Sequence, residues 1–130
     1  MPKLFTRLLA RRWPWRLALA ISVAAILFLA TTSQTHAVPA SFGDKFNHLI
    51  AFVELTLLAR LGWPHARPLL VATLVLGFGL LLELLQAPLP YRSFSLLDLA
   101  ADAAGIGLGL ALSPWLLARA QRAPGRPSAD

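Results

Sequence analysis

The chain has no cysteine, which excludes a disulfide framework and any thiolate metal site and leaves the redox compartment open. Charge is also scarce. Only 14% of the 130 residues are charged against 57% hydrophobic, where a soluble domain carries roughly 25% charged residues. An ordinary soluble domain is therefore excluded. Several catalytic signatures are missing too: there is no G-x-S-x-G nucleophile motif, no close histidine pair, and no strand ahead of the Gly105, Gly107, Gly109 series that would make it a phosphate loop. The glycines read instead as a helix-packing stripe. No internal repeat or low-complexity segment is evident.

What the chain does have is apolar runs of membrane length. The first, Leu17 to Thr32, carries no charge. Its helix would span about 24 Å of a hydrocarbon core of roughly 30 Å, with Trp13 and Trp15 extending it into the interface. A cleaved signal peptide ending near Thr35-His36-Ala37 is the rival reading; the long basic start and the further apolar runs favour a retained helix. Pro39 and Gly43 mark a connection, and a second helix is expected from Asp44, as N-cap, to Leu61, with Arg60 snorkelling at its end. A third runs from Pro68 to Gln86 and is stopped by Ala87-Pro88-Leu89-Pro90. A fourth runs from Ser95 to Ser113, ahead of Pro114. The expected fold is thus all-α, a four-helix transmembrane bundle over residues 17–118. A basic cytoplasmic segment, 1–16, precedes it and a disordered cytoplasmic tail, 119–130, follows.

A net charge of +6 raises nucleic acid as a partner, but the distribution argues against it. Lys3, Arg7, Arg11, Arg12, Arg16, Arg60, Arg67, Arg119, Arg122 and Arg126 all fall on one side of an alternating topology, leaving Lys45 and Arg92 for the other. Trp13, Trp15, Trp63 and Trp115 fall at that same boundary. Positive-inside bias and an aromatic belt therefore agree on N-in, C-in, in a multi-pass membrane protein.

At the opposite boundary, three helices deliver polar residues to one layer: Asp44, Lys45 and His48 from the second, Glu83 and Gln86 from the third, Asp98 and Asp102 from the fourth. Arg92 lies in the loop between. An ionisable side chain at mid-bilayer costs about 2.5–3.5 kcal/mol, so such groups face a protein interior or wet cavity and are paired. These eight residues form the expected ligand-binding or polar network. Each also has a structural reading: cap for Asp44, interfacial lysine for Lys45, packing histidine for His48, counter-ion for Arg92. Glu54 stands apart near mid-membrane, where burial and a hydrogen bond to a neighbouring helix are expected.

The ordered set Asp44-Lys45-x-x-His48, Glu83-x-x-Gln86, Pro90-x-Arg92-x-x-Ser95-x-x-Asp98 and Gly105-x-x-x-Gly109 resembles the VanZ-like family of small bacterial membrane proteins, named after a teicoplanin-resistance accessory protein. Two positions depart: Asp102 stands where the family usually has asparagine, and Phe52 where tyrosine is common. The resemblance implies a multi-helix membrane protein linked to the cell envelope or to glycopeptide tolerance. It does not supply a reaction.

Three functions compete. The first is an envelope-associated binding or accessory protein whose partners are membrane lipids and a cell-wall precursor or envelope protein, with a second copy of the chain as a further partner. The next is an intramembrane enzyme with His48 as general base and Glu83 or Asp98 orienting it or acting as acid. Last is a proton-coupled carrier using Glu54 and the outer carboxylates. No cofactor or metal is expected, since one histidine with carboxylates suits zinc poorly.

Overall fold

A computed structural model describes residues 2–32, 42–90 and 95–122. Among the described residues all regular structure is helical: α1 (Pro2–Ala10), α2 (Trp13–Thr31), α3 (Phe42–Gly62), α4 (Pro68–Gln86) and α5 (Leu96–Gln121). Three of these, α2, α4 and α5, are long and apolar enough to cross a membrane. By length α3 also suffices, at about 31 Å for its 21 residues. Lys45, Glu54 and Arg60, however, make it the most polar of the long helices.

Local chemistry sets the boundaries. Proline opens both α2 and α4, where its missing N–H costs nothing. At the start of α5, Ser95 has extended backbone and its Oγ accepts from the Asp98 N–H at 3.2 Å, an N-cap. The start of α3 differs from expectation. The helix begins at Phe42, so Asp44 lies within its first turn; the Asp44 side chain and Arg92 fall outside the described residues.

The end of α5 is the larger correction. Instead of stopping at Ser113, the helix runs through Pro114 to Gln121. Proline at 114 cannot supply the N–H that the Leu110 carbonyl would otherwise accept. The Ser113 hydroxyl donates to that same carbonyl at 3.0 Å and replaces the lost bond. The basic start, to which no secondary structure was assigned, is helical over Pro2–Ala10. Leu9 of α1 packs with Leu61 and Ala120, tying α1 to the ends of α3 and α5.

Long-range bonds give the helix directions. At one end Arg16 Nε donates to the Gly62 carbonyl at 2.9 Å, and its guanidinium lies 4.7 Å from the Trp63 ring centroid. At the other, Gln86 Nε2 donates to the Ala30 carbonyl at 3.1 Å, one of the carbonyls the last turn of α2 leaves unpaired. Helices α2 to α5 therefore alternate in direction, with the basic and tryptophan-bearing ends together. Arg60 does not snorkel outward: it is buried and its Nη1 donates to the Ala66 carbonyl in the α3–α4 turn.

Packing is densest where α3 meets α5. His48, Phe52, Leu55, Thr56 and Ala59 recur at helical spacing along one face of α3 and turn inward. Gly105 and Gly109 of α5 lie against this face. A Cβ at Gly105 would sit 2.5 Å from the Leu49 carbonyl oxygen, and one at Gly109 would sit 2.7 Å from Thr56 Cβ. Small residues here let two backbones approach. Outside this seam the surface is apolar: Leu69, Leu74, Leu96 and Phe28 are each more than 60% exposed, as suits a lipid-facing surface.

Gly105→Ala is expected to lower stability by about 1–3 kcal/mol through overpacking. Gly107→Ala, whose added carbon meets nothing within 4 Å, should be neutral or slightly stabilising. Unfolding of both variants in mixed micelles would check the pair.

Candidate functional site

The alternating helix directions bring the start of α3, the end of α4 and the start of α5 to the same level. His48 and Asp102 each lie somewhat under about two turns into α3 and α5, and Glu83 about one turn from the end of α4. Their side chains meet. His48 Nδ1 lies 2.8 Å from Asp102 Oδ1, and Asp102 is fully buried. The other ring nitrogen, Nε2, lies 3.8 Å from Asp98 Oδ2. Asp98 and Asp102 are four residues apart on one face of α5, so both address the same imidazole.

Phe52 supports this arrangement from below. Its ring stacks on His48 with centroids 6.5 Å apart and planes 9° from parallel, and on Phe78 of α4 at 6.4 Å. Gly79 leaves the space the group needs: a Cβ there would lie 2.6 Å from Asp102 Oδ2 and 3.0 Å from the Phe52 ring. Histidine, aspartate and aromatic ring are thus fitted around a missing side chain.

Glu83 is completely buried. Its Oε2 accepts from the Ser95 N–H at 2.9 Å, binding the end of α4 to the cap of α5. Its other oxygen, Oε1, is buried with no hydrogen-bond partner. Such an atom ordinarily finds one, because leaving it bare costs about 1–3 kcal/mol or more for a charged group. One ligand atom each from His48, Glu83 and Asp98 lie within 4.8 Å of one another.

Of the eight residues expected in this network, the structure gathers Lys45, His48, Glu83, Asp98 and Asp102. Lys45 Nζ lies 3.8 Å from Asp98 Oδ1, and its side chain is 37% exposed against 15% for that of His48. These two form the accessible edge of an otherwise buried group. Gln86 bonds to α2 instead. Asp44 and Arg92 lie outside the described part of the site.

Two features were not anticipated. Among the described residues the carboxylate nearest the histidine is Asp102, not Glu83 or Asp98, and Ser95 joins the site through its backbone N–H. The S-x-x-D spacing of Ser95 and Asp98 is a capping signature that points to the second. For the first, the only signal is the matched depth of residues 48 and 102.

Glu54 corrects another expectation. It is exposed rather than buried, because it lies off the inward face of α3, and its Oε1 accepts from Ser22 Oγ of α2 at 2.7 Å. The hydrogen bond to a neighbouring helix is therefore present. A small cleft bordered by Leu9, Arg12, Leu61, Pro64 and Leu117 lies at the opposite end, and none of the described residues lining it is acidic.

Apolar membrane-length helices around a buried histidine–carboxylate group define a helical protein of membrane type with a polar site at one end of its helices. The chain belongs to the VanZ/LLP1 family, whose model matches residues 4–117. No curated protein and no solved structure matches it.

The geometry predicts a coupling pattern. A double-mutant cycle of His48→Ala with Asp102→Ala should show an interaction of about 0.5–3 kcal/mol, and His48→Ala with Gln86→Ala one near zero. Reversible unfolding in mixed micelles measures both.

Proposed function

We propose that the chain is an integral protein of the bacterial cytoplasmic membrane that binds a polar envelope component at the Lys45–His48–Glu83–Asp98–Asp102 group. Its role is then that of an envelope-associated accessory protein, linked to glycopeptide tolerance. The observation that carries this reading is the accessible edge formed by half-exposed Lys45 and mostly buried His48 beside the buried carboxylates. Positive and negative groups at the end of membrane-length helices suit a ligand with a charged headgroup held at the membrane surface.

In this reading α3 crosses along with α2, α4 and α5, giving four crossings with both termini in the cytoplasm. The charge on α3 is compatible with crossing, since Lys45 and Arg60 lie toward its two ends and Glu54 is hydrogen-bonded to α2. Bonds from α2 to α3 and α4 support its being retained rather than cleaved as a signal peptide. The basic α1, with Leu4, Phe5 and Leu8 exposed beside Lys3 and Arg7, suits a helix lying in the cytoplasmic headgroup region.

A second reading rests on the 2.8 Å contact between His48 Nδ1 and Asp102. A histidine oriented by a buried carboxylate, with its other nitrogen 3.8 Å from a second carboxylate, is an arrangement open to a general base. The enzyme would act on an envelope lipid or cell-wall intermediate, with Asp102 as the orienting carboxylate.

Orientation is testable because the chain has no native cysteine. In spheroplasts, a membrane-impermeant maleimide should label the Ala87→Cys variant directly and the His65→Cys variant only after permeabilisation. The reverse pattern would remove the outward-facing site.

For function, the wild type in nanodiscs is expected to bind a lipid-linked cell-wall intermediate. His48→Ala and Asp98→Ala should each weaken binding at least about tenfold, the equivalent of about 1.4 kcal/mol. Unchanged affinity in both would dismiss this site. Turnover of that lipid, falling about 10²–10⁴-fold in His48→Ala, would favour the enzyme.

A further inference from the structure

We propose that His48 Nε2, Glu83 Oε1 and Asp98 Oδ2 bind a divalent first-row transition metal, with Asp102 holding the histidine for it. The proposal shares residues with the function proposed above but does not require it.

Three independent features converge. One ligand atom each from His48 of α3, Glu83 of α4 and Asp98 of α5 lie within 4.8 Å of one another. Ligands about 2.0–2.2 Å from an ion sit no more than about 4.4 Å apart, so closure takes a movement of well under about 1 Å by each side chain. His48 Nε2 and Asp98 Oδ2, 3.8 Å apart, are too distant for a hydrogen bond and already at the separation of two ligands sharing one ion.

The second feature is Glu83 Oε1, a buried oxygen with no hydrogen-bond partner. The Ser95 N–H occupies only Oε2 and fixes the carboxylate plane. Coordination would supply what Oε1 lacks. The third feature is the Asp102 contact. Metal-binding histidines almost always donate their second ring N–H to a carboxylate, carbonyl or water, which sets the tautomer and ring orientation. Asp102 Oδ1, at 2.8 Å from Nδ1, is placed to accept that proton and leave the Nε2 lone pair for the ion. Lys45 remains on the other oxygen of Asp98.

One imidazole with two carboxylates is a harder donor set than that of a structural zinc site, and softer than the all-oxygen cages of calcium or magnesium. Mn²⁺ and Zn²⁺ are the appropriate probes. Water at the accessible edge, or an anionic group of a bound molecule, would complete the coordination. Through Nε2 the histidine is either a ligand or a general base, so the metal reading favours binding over the enzyme in which His48 takes a proton.

The test uses the full chain in nanodiscs, purified without a histidine tag, stripped with chelator, and carrying His36→Gln and His65→Gln so that His48 is its one imidazole. The expected result is one Mn²⁺ or Zn²⁺ per chain by calorimetry, with ¹⁴N coupling to a single imidazole in the electron spin-echo spectrum of the Mn²⁺ form. Asp98→Asn and Glu83→Gln should each weaken binding at least about 100-fold. Asp102→Asn, which acts through His48, should weaken it by about 10–100-fold.

Absence of saturable binding by either ion up to millimolar concentration would overturn the proposal, as would absence of the ¹⁴N coupling or unchanged affinity in both Asp98→Asn and Glu83→Gln. The calorimetric and spin-echo measurements on the chain with its site intact decide the matter even if a site variant fails to fold. Uptake of envelope lipid by metal-free protein that takes up no ion would end the metal assignment and leave the binding function standing. Stoichiometric metal without lipid affinity would do the opposite.

Discussion

At Gly105 the backbone of α5 comes so close to α3 that one added carbon would lie 2.5 Å from the Leu49 carbonyl oxygen. The rest of the arrangement depends on that approach. It sets the register in which His48 meets Asp102, one turn N-terminal to Gly105, and presses Phe52 under the imidazole. With a larger residue at Gly105 or Gly109 the two helices would separate, and a fully buried aspartate would lose its close contact with histidine. In lipid, where apolar side chains gain little by leaving their surroundings, such close packing and buried polar bonds carry the association of helices.

The polar group is therefore structural as well as chemical. Glu83 joins the end of α4 to the cap of α5 through Ser95, Gln86 ties α4 to α2, and His48 ties α3 to α5. Each bond satisfies a group that lipid cannot. What separates the cluster from a set of structural ties is Glu83 Oε1, a buried oxygen left without a bond, beside the accessible edge of His48 and Lys45. A group built only for stability would be expected to use every acceptor it buries.

The two ends of the helices are chemically different. One carries Arg16, Trp63, Arg60 and the α1 contact, with arginines stacked on tryptophans at Trp63 and Trp115. The other carries the carboxylates and the histidine. This polarity follows from the alternating helix directions, which place the ends of α3 and α5 beside the start of α2. It gives the protein one end suited to an anionic lipid surface and one that holds buried acids.

The sequence by itself determined the apolar helices, the spans of α4 and most of α2 and α3, and the gathering of His48, Glu83, Asp98 and Asp102 at one level. Length, hydropathy and short connections suffice for that, because the rise per residue fixes depth. Family membership was legible as well, in residues spaced along the chain. What tertiary structure alone decided is which atoms pair. Depth leaves rotation about the helix axis free, so Asp102 rather than Asp98 as the close partner of His48 depended on the α3–α5 crossing, as did the exposure of Glu54. The metal donor set was hidden for the same reason, since it takes one atom from each of three helices and no local spacing records it. The passage of α5 through Pro114 depended on one hydroxyl reaching one orphaned carbonyl, a geometric event that residue identity permits and only the folded chain settles.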